Sequence, residues 1–134
     1  MRTILFRGKR ADTGEWVKGA FVPQYHSAKY GKRIDAIFYS TEAGTYRVPV
    51  QPESVGQYIG LEDKNDTKVF EGDVISYNGG RKVVKYDTSL NIPCFCTGIG
   101  GGSSTMPHPY KISKRHVVIG NIHDNPELLG TQEE

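Results

Sequence analysis

The chain has 134 residues, with 17 Lys+Arg against 15 Asp+Glu and a formal net charge of +2. That length suits a single domain with a modest core, and the near balance of charge excludes a strongly basic polyanion binder on composition alone. No apolar run approaches the roughly 18 residues of a membrane span, and Met1–Phe6 meets Arg7 and Lys9 too early for a signal-peptide core, so a soluble, cytoplasmic protein with no membrane partner is expected.

Gly and Pro punctuate the chain too densely for long amphipathic helices, and the short runs between them are rich in Val, Ile, Phe and Tyr, which predicts an all-β protein. Strands are expected at Thr3–Phe6, Trp16–Val22, Asp35–Ser40 and Thr45–Val50. Over Lys32–Ala43, Ile34, Ile37 and Phe38 would also share one helical face, but the β-branched and aromatic content favours a strand. Asp63–Lys68 reads as a polar turn before Val69-Phe70, and Glu71-Gly72-Asp73 as a second reversal. Asp73–Tyr77 and Lys82–Tyr86 flank Asn78-Gly79-Gly80, the residues a tight hairpin turn needs. A late strand is expected at Val117–Ile122, and Asn125-Pro126 then opens a short C-terminal helix with a cap and a first-turn proline. The Gly-rich 97–109 segment reads as a flexible loop, and 131–134 as a frayed tail.

Charge is unevenly distributed: residues 1–33 carry 8 Lys+Arg against 2 Asp+Glu, whereas residues 34–74 carry 3 against 8. Arg2, Arg7, Lys9, Arg10 and Lys18 surround Trp16, while Lys29, Lys32 and Arg33 are interleaved with Tyr25, Tyr30 and Phe38, and cations beside aromatic rings are what single-stranded nucleic-acid binders use. Arg7, Lys9, Arg10, Trp16 and Lys18 are the candidate partner surface. A solvated basic face with Trp16 in the core is the plainer alternative.

Other constellations are weaker. Cys94, Cys96, His108 and His116 are a ligand set zinc accepts, but the Cys spacing departs from the usual knuckle, and two reduced cysteines in a strand are expected instead. Thr97–Thr105 fails both the GxGxxG and the P-loop register. A cation or catalytic site on Glu62, Asp63, Asp66, Glu71 and Asp73 is disfavoured because these acids lack the spacing of an EF-hand loop, and in Glu71-Gly72-Asp73 the two carboxylates are expected to cap backbone N–H groups at a tight turn. With no nucleophile elbow and no HExxH helix, no catalytic residue, metal or cofactor is assigned.

Three stretches resemble the YopX family, small proteins encoded mainly by bacteriophages and prophages. They are Leu5–Arg10 with Thr13–Gly19, Val55–Asn65 continued by Val69–Val74, and Val118–Leu129. The resemblance implies one β-rich domain over 1–134, similar to a small SH3-like, partly open barrel with added hairpin strands. It brings no established catalytic residue, and Thr88–Ser113 matches no pattern of the family. The expected role is that of an accessory protein acting by binding, through a protein partner or self-association. Nucleic-acid binding by the basic block is the alternative, and an enzymatic or metal-dependent activity is further off.

Overall fold

The structure is a computed structural model that describes residues 3–77, 80–87, 94–96, 99–100, 108–109 and 116–130. The fold is mainly β, and its residues fall into two compact units, Met1–Tyr58 and Ile59–Glu134.

In the first unit the strands are β1 (Phe6–Lys9), β2 (Trp16–Ser27), β3 (Lys32–Thr41), β4 (Gly44–Pro49) and the start of β5 (Gly56–Glu62), ordered β4-β3-β2-β1-β5. All pairings are antiparallel. Lys32–Thr41 is thus a strand, as its composition predicts. The first strand lies three residues later than the apolar run Thr3–Phe6 suggests. The pleat explains the shift: Phe6 and Gly8 turn inward, while Arg7 and Lys9 face the other side. Strand β5 is not among the elements expected from sequence, since its two glycines, Gly56 and Gly60, weaken a strand pattern.

The core of this unit is Ile37, Val48 and Val50, with Phe6, Val17, Phe21, Tyr39 and Val55 packed around them. Gly19 allows the close approach of β2 to β3, since a Cβ there would run into the Phe38 carbonyl. The end of β4 is tied back to the end of β1. Arg10 bridges Val50, the Ala11 N–H donates to the Pro49 carbonyl (2.9 Å), and the Gln51 N–H donates to the Lys9 carbonyl (2.8 Å). These bonds join one corner only, so the expected SH3-like barrel is not seen: among the described residues the sheets do not close.

In the second unit, β5 ends beside β6 (Lys68–Phe70). A separate sheet has the order β13-β7-β8, formed by β7 (Asp73–Tyr77), β8 (Gly80–Val83) and β13 (Val117–Asn121). The predicted β7–β8 hairpin is present, with Tyr77 opposite Gly80, although residues 78–79 lie outside those described. Two small ribbons pair β9 (Lys85–Asp87) with β10 (Cys94–Cys96), and β11 (Ile99–Gly100) with β12 (His108–Pro109). Most of the 97–109 loop, and the whole 131–134 tail, lie outside the described residues. The terminal helix is reduced to a single α-turn, Glu127–Gly130. Val69, Ile75 and Val84 form this unit's core, with Ile59 and Val118 against them.

Candidate nucleic-acid interface

The register of β1 against β2 decides which of the five sequence candidates meet. Arg7 lies opposite Lys18 and Lys9 opposite Trp16, and directly opposed residues of an antiparallel pair share one side of the sheet. Arg7, Lys9, Trp16 and Lys18 are therefore brought together on the side facing away from the core residues Phe6 and Val17. The Arg7 guanidinium carbon lies 4.6 Å from the Trp16 ring centroid, and the Lys9 Nζ 5.6 Å. Trp16 is half-buried under these cations and outside the core cluster.

Arg10 does not join this group. Its alternation puts it on the opposite side, where Nε and a terminal nitrogen both donate to the Asp12 carboxylate at 3.0 Å. These charge-assisted bonds pull the Asp12 carboxyl from 3.8 down to about 2 and raise the Arg10 guanidinium above its ordinary range. Much of the Arg10 charge is thus answered locally.

The same side of the sheet as Trp16 continues across β3 and β4. Ala20 pairs with Phe38, which pairs with Arg47, and the Arg47 guanidinium carbon lies 5.5 Å from the Phe38 ring. A bulge in β2 adds Tyr25 to this group. Val22 faces Ala36 but Tyr25 faces Ile34, so one extra residue of β2 is accommodated between them. Gln24 takes the strain with φ of 54°, while its N–H donates to Asp35 Oδ1 and its carbonyl accepts from Arg33. The Tyr25 ring consequently meets Phe38 edge-on at 5.0 Å. Tyr25 and Phe38 are in the basic, aromatic stretch that the sequence singles out, but Arg47 is not, because only the bulge and the register bring it beside them.

Two acids of the strongest sequence motif, Asp63 and Asp73, behave as turn caps. Asp63 Oδ1 accepts the N–H groups of Asn65 (2.8 Å) and Thr67 (2.9 Å), and Oδ2 accepts that of Val118 (2.8 Å). Burial pushes this carboxyl up, but the three backbone donors outweigh it and hold it below its ordinary value. Asp73 Oδ2 likewise accepts the Phe70 N–H at 2.8 Å. Both carboxylates are 1% exposed. Gly72 between them has φ of 90°, which suits the reversal. Among the described residues no three His, Cys, Asp or Glu side chains gather as a metal would need, while the side chains of Cys94, Cys96 and His108 lie outside the described part. No helix among the described residues is long and apolar enough to cross a membrane.

No curated protein is similar to the chain. Among solved structures it is similar to protein EF1440 from Enterococcus faecalis, at 19% identity and a TM-score of 0.46, over 96% of this chain and 99% of that one. The sequence profile of the family described as YopX protein matches residues 5–130. With nearly its whole length accounted for by that match, the chain belongs to the YopX family.

Proposed function

We propose that the first unit binds single-stranded nucleic acid across the sheet side that carries Arg7, Lys9, Trp16 and Lys18. The convergence of these four residues opposite the core carries this reading, because a polyanion with stacking bases needs cations and rings on one surface. The first unit also holds 9 Lys+Arg against 5 Asp+Glu, a local excess that the whole chain hides. We take the whole chain as one YopX domain, its curled first sheet an open relative of the SH3-like barrel. It would act as a phage or prophage accessory protein in the bacterial cytoplasm.

Fluorescence anisotropy with labelled single-stranded DNA or RNA at two salt concentrations tests this. Three phosphate contacts to Arg7, Lys9 and Lys18 give a slope of log K against log salt of about −2. Combining Lys9→Glu with Lys18→Glu should remove that binding and leave thermal stability unchanged. Binding that ignores salt, or survives the double variant, refutes the reading.

Binding to a protein, a second copy of the chain included, is the other reading. It is favoured by β4, which closes one end of the sheet order, is bonded to β3, and leaves Tyr46 40% exposed. Light scattering tests the self-association arm: a mass that rises with concentration supports it, and a constant monomer mass counts against it.

A further inference from the structure

The sheet side that carries Arg7, Lys9, Trp16 and Lys18 does not end at β2. Ala20 follows Lys18 on that side by alternation, Phe38 stands opposite it on β3, and Arg47 stands opposite Phe38 on β4. The Arg47 guanidinium carbon lies 5.5 Å from the Phe38 ring centroid, which repeats the placement of Arg7 over Trp16 at 4.6 Å. Two arginine-capped rings therefore share one side of one sheet.

The second ring is held in place by structure distant in sequence. Tyr25 meets Phe38 edge-on at 5.0 Å, and the bulge that turns Tyr25 to this side is kept at the cost of a strained Gln24 with φ of 54°. Arg47 is exposed and, among the described residues, pairs with no carboxylate, whereas Arg10 is held by Asp12. Asp35 is the only acid in strands β1–β4, and alternation puts it with Ile37 on the core side. The side shared by the two rings thus carries no strand carboxylate to repel a phosphate. Phe38 is opposite Ala20, four residues along β2 from Trp16. At about 3.3 Å per residue and about 5 Å between strands, the two rings stand about 14 Å apart. A stacked base step advances about 3.4 Å, so about four steps separate them.

From two capped rings a few base steps apart on one acid-free side, we infer that the strand bound at Trp16 continues over β3 to Arg47, on which a second base stacks. This rests on the reading of the Trp16 side proposed above and extends it to a second base platform. The exposed Ala20, a small side chain, leaves the path between the platforms open. The second base lies against the planar guanidinium of Arg47, with Phe38 behind it. The ligand is a single-stranded segment of about five nucleotides or more, and a dinucleotide fills the Trp16 platform alone.

Oligo-dU of 2 and of 10 nucleotides tests this, read by anisotropy and by the fluorescence of Trp16, the one tryptophan of the chain. Both lengths should quench Trp16, the 10-mer with at least about tenfold higher affinity. Arg47→Ala should weaken the 10-mer about tenfold and leave the dinucleotide unchanged. Arg47→Lys keeps the charge but not the plane, so it should preserve the salt slope and still weaken the 10-mer about fivefold or more. Combining Lys9→Glu with Lys18→Glu should remove binding of both lengths. Oligo-rU adds only the 2′-hydroxyl, so tighter binding of it identifies RNA as the polymer on both platforms, and equal or weaker binding identifies DNA. Equal 10-mer affinity in Arg47→Ala and wild type, with binding still lost in the Lys9 and Lys18 double variant, overturns the second platform and leaves the Trp16 reading standing. Full recovery of affinity in Arg47→Lys overturns the stacking role of the guanidinium. Absence of salt-sensitive binding at either length refutes the Trp16 reading and the second platform together.

Discussion

Replacing Asp63 by Asn changes one atom of a buried side chain and should destabilise the second unit far more than a surface substitution. In the native turn both carboxylate oxygens are used, Oδ1 by the Asn65 and Thr67 N–H groups and Oδ2 by that of Val118. An amide can place its oxygen toward only one of these sites. The better orientation keeps the Asn65 and Thr67 bonds and turns an NH₂ group against the Val118 N–H. That removes one hydrogen bond to a charged acceptor, worth about 1.5–3 kcal/mol, and weakens the remaining two to neutral strength. The expected loss is about 2–4 kcal/mol, or on the order of 10 °C in melting temperature for a chain of this size. Urea denaturation followed by circular dichroism measures it. The native carboxyl titrates below its ordinary value of 3.8, so its contribution is fully present above that pH and is lost as pH falls through the lower folded value. The gap between wild type and Asp63→Asn should therefore narrow on acidification. A variant that unfolds at the wild-type urea midpoint at neutral pH would refute the capping account.

Other expectations follow from single contacts. Gly19→Ala drives a methyl group into the Phe38 carbonyl and should cost more than about 3 kcal/mol or prevent folding, read by the same denaturation assay. Ile75→Ala opens a cavity beside Val69 and Val84 and should cost about 2–5 kcal/mol, against about 0.5–1.5 kcal/mol for Ile75→Val; equal effects would mean the site is not tightly packed. NMR titration of the Asp12 carboxyl should give a pKa of about 2, rising toward 3.8 in Arg10→Gln; an unmoved value would deny the bidentate pair.

The β class, the β7–β8 hairpin and the capping role of Asp73 were legible in the sequence, because alternation, turn residues and local caps act over a few neighbouring positions, whereas Asp63's bond to Val118, 55 residues on, was not. Local pattern misled at two strands. Thr3–Phe6 looks like a strand by hydropathy, yet β1 is the less apolar Phe6–Lys9, and β5 is hidden by two glycines. The basic cluster was visible as composition, but its membership was not: alternation sends Arg10 to the opposite side, and register joins Arg7 to Lys18. Only the tertiary structure could set Tyr25 against Phe38. The two rings stand on different strands, and one extra residue at the Gln24 bulge reverses the side on which Tyr25 lies. Strand register is a long-range property in which a one-residue slip turns every following side chain to the other face, and no local pattern encodes that slip.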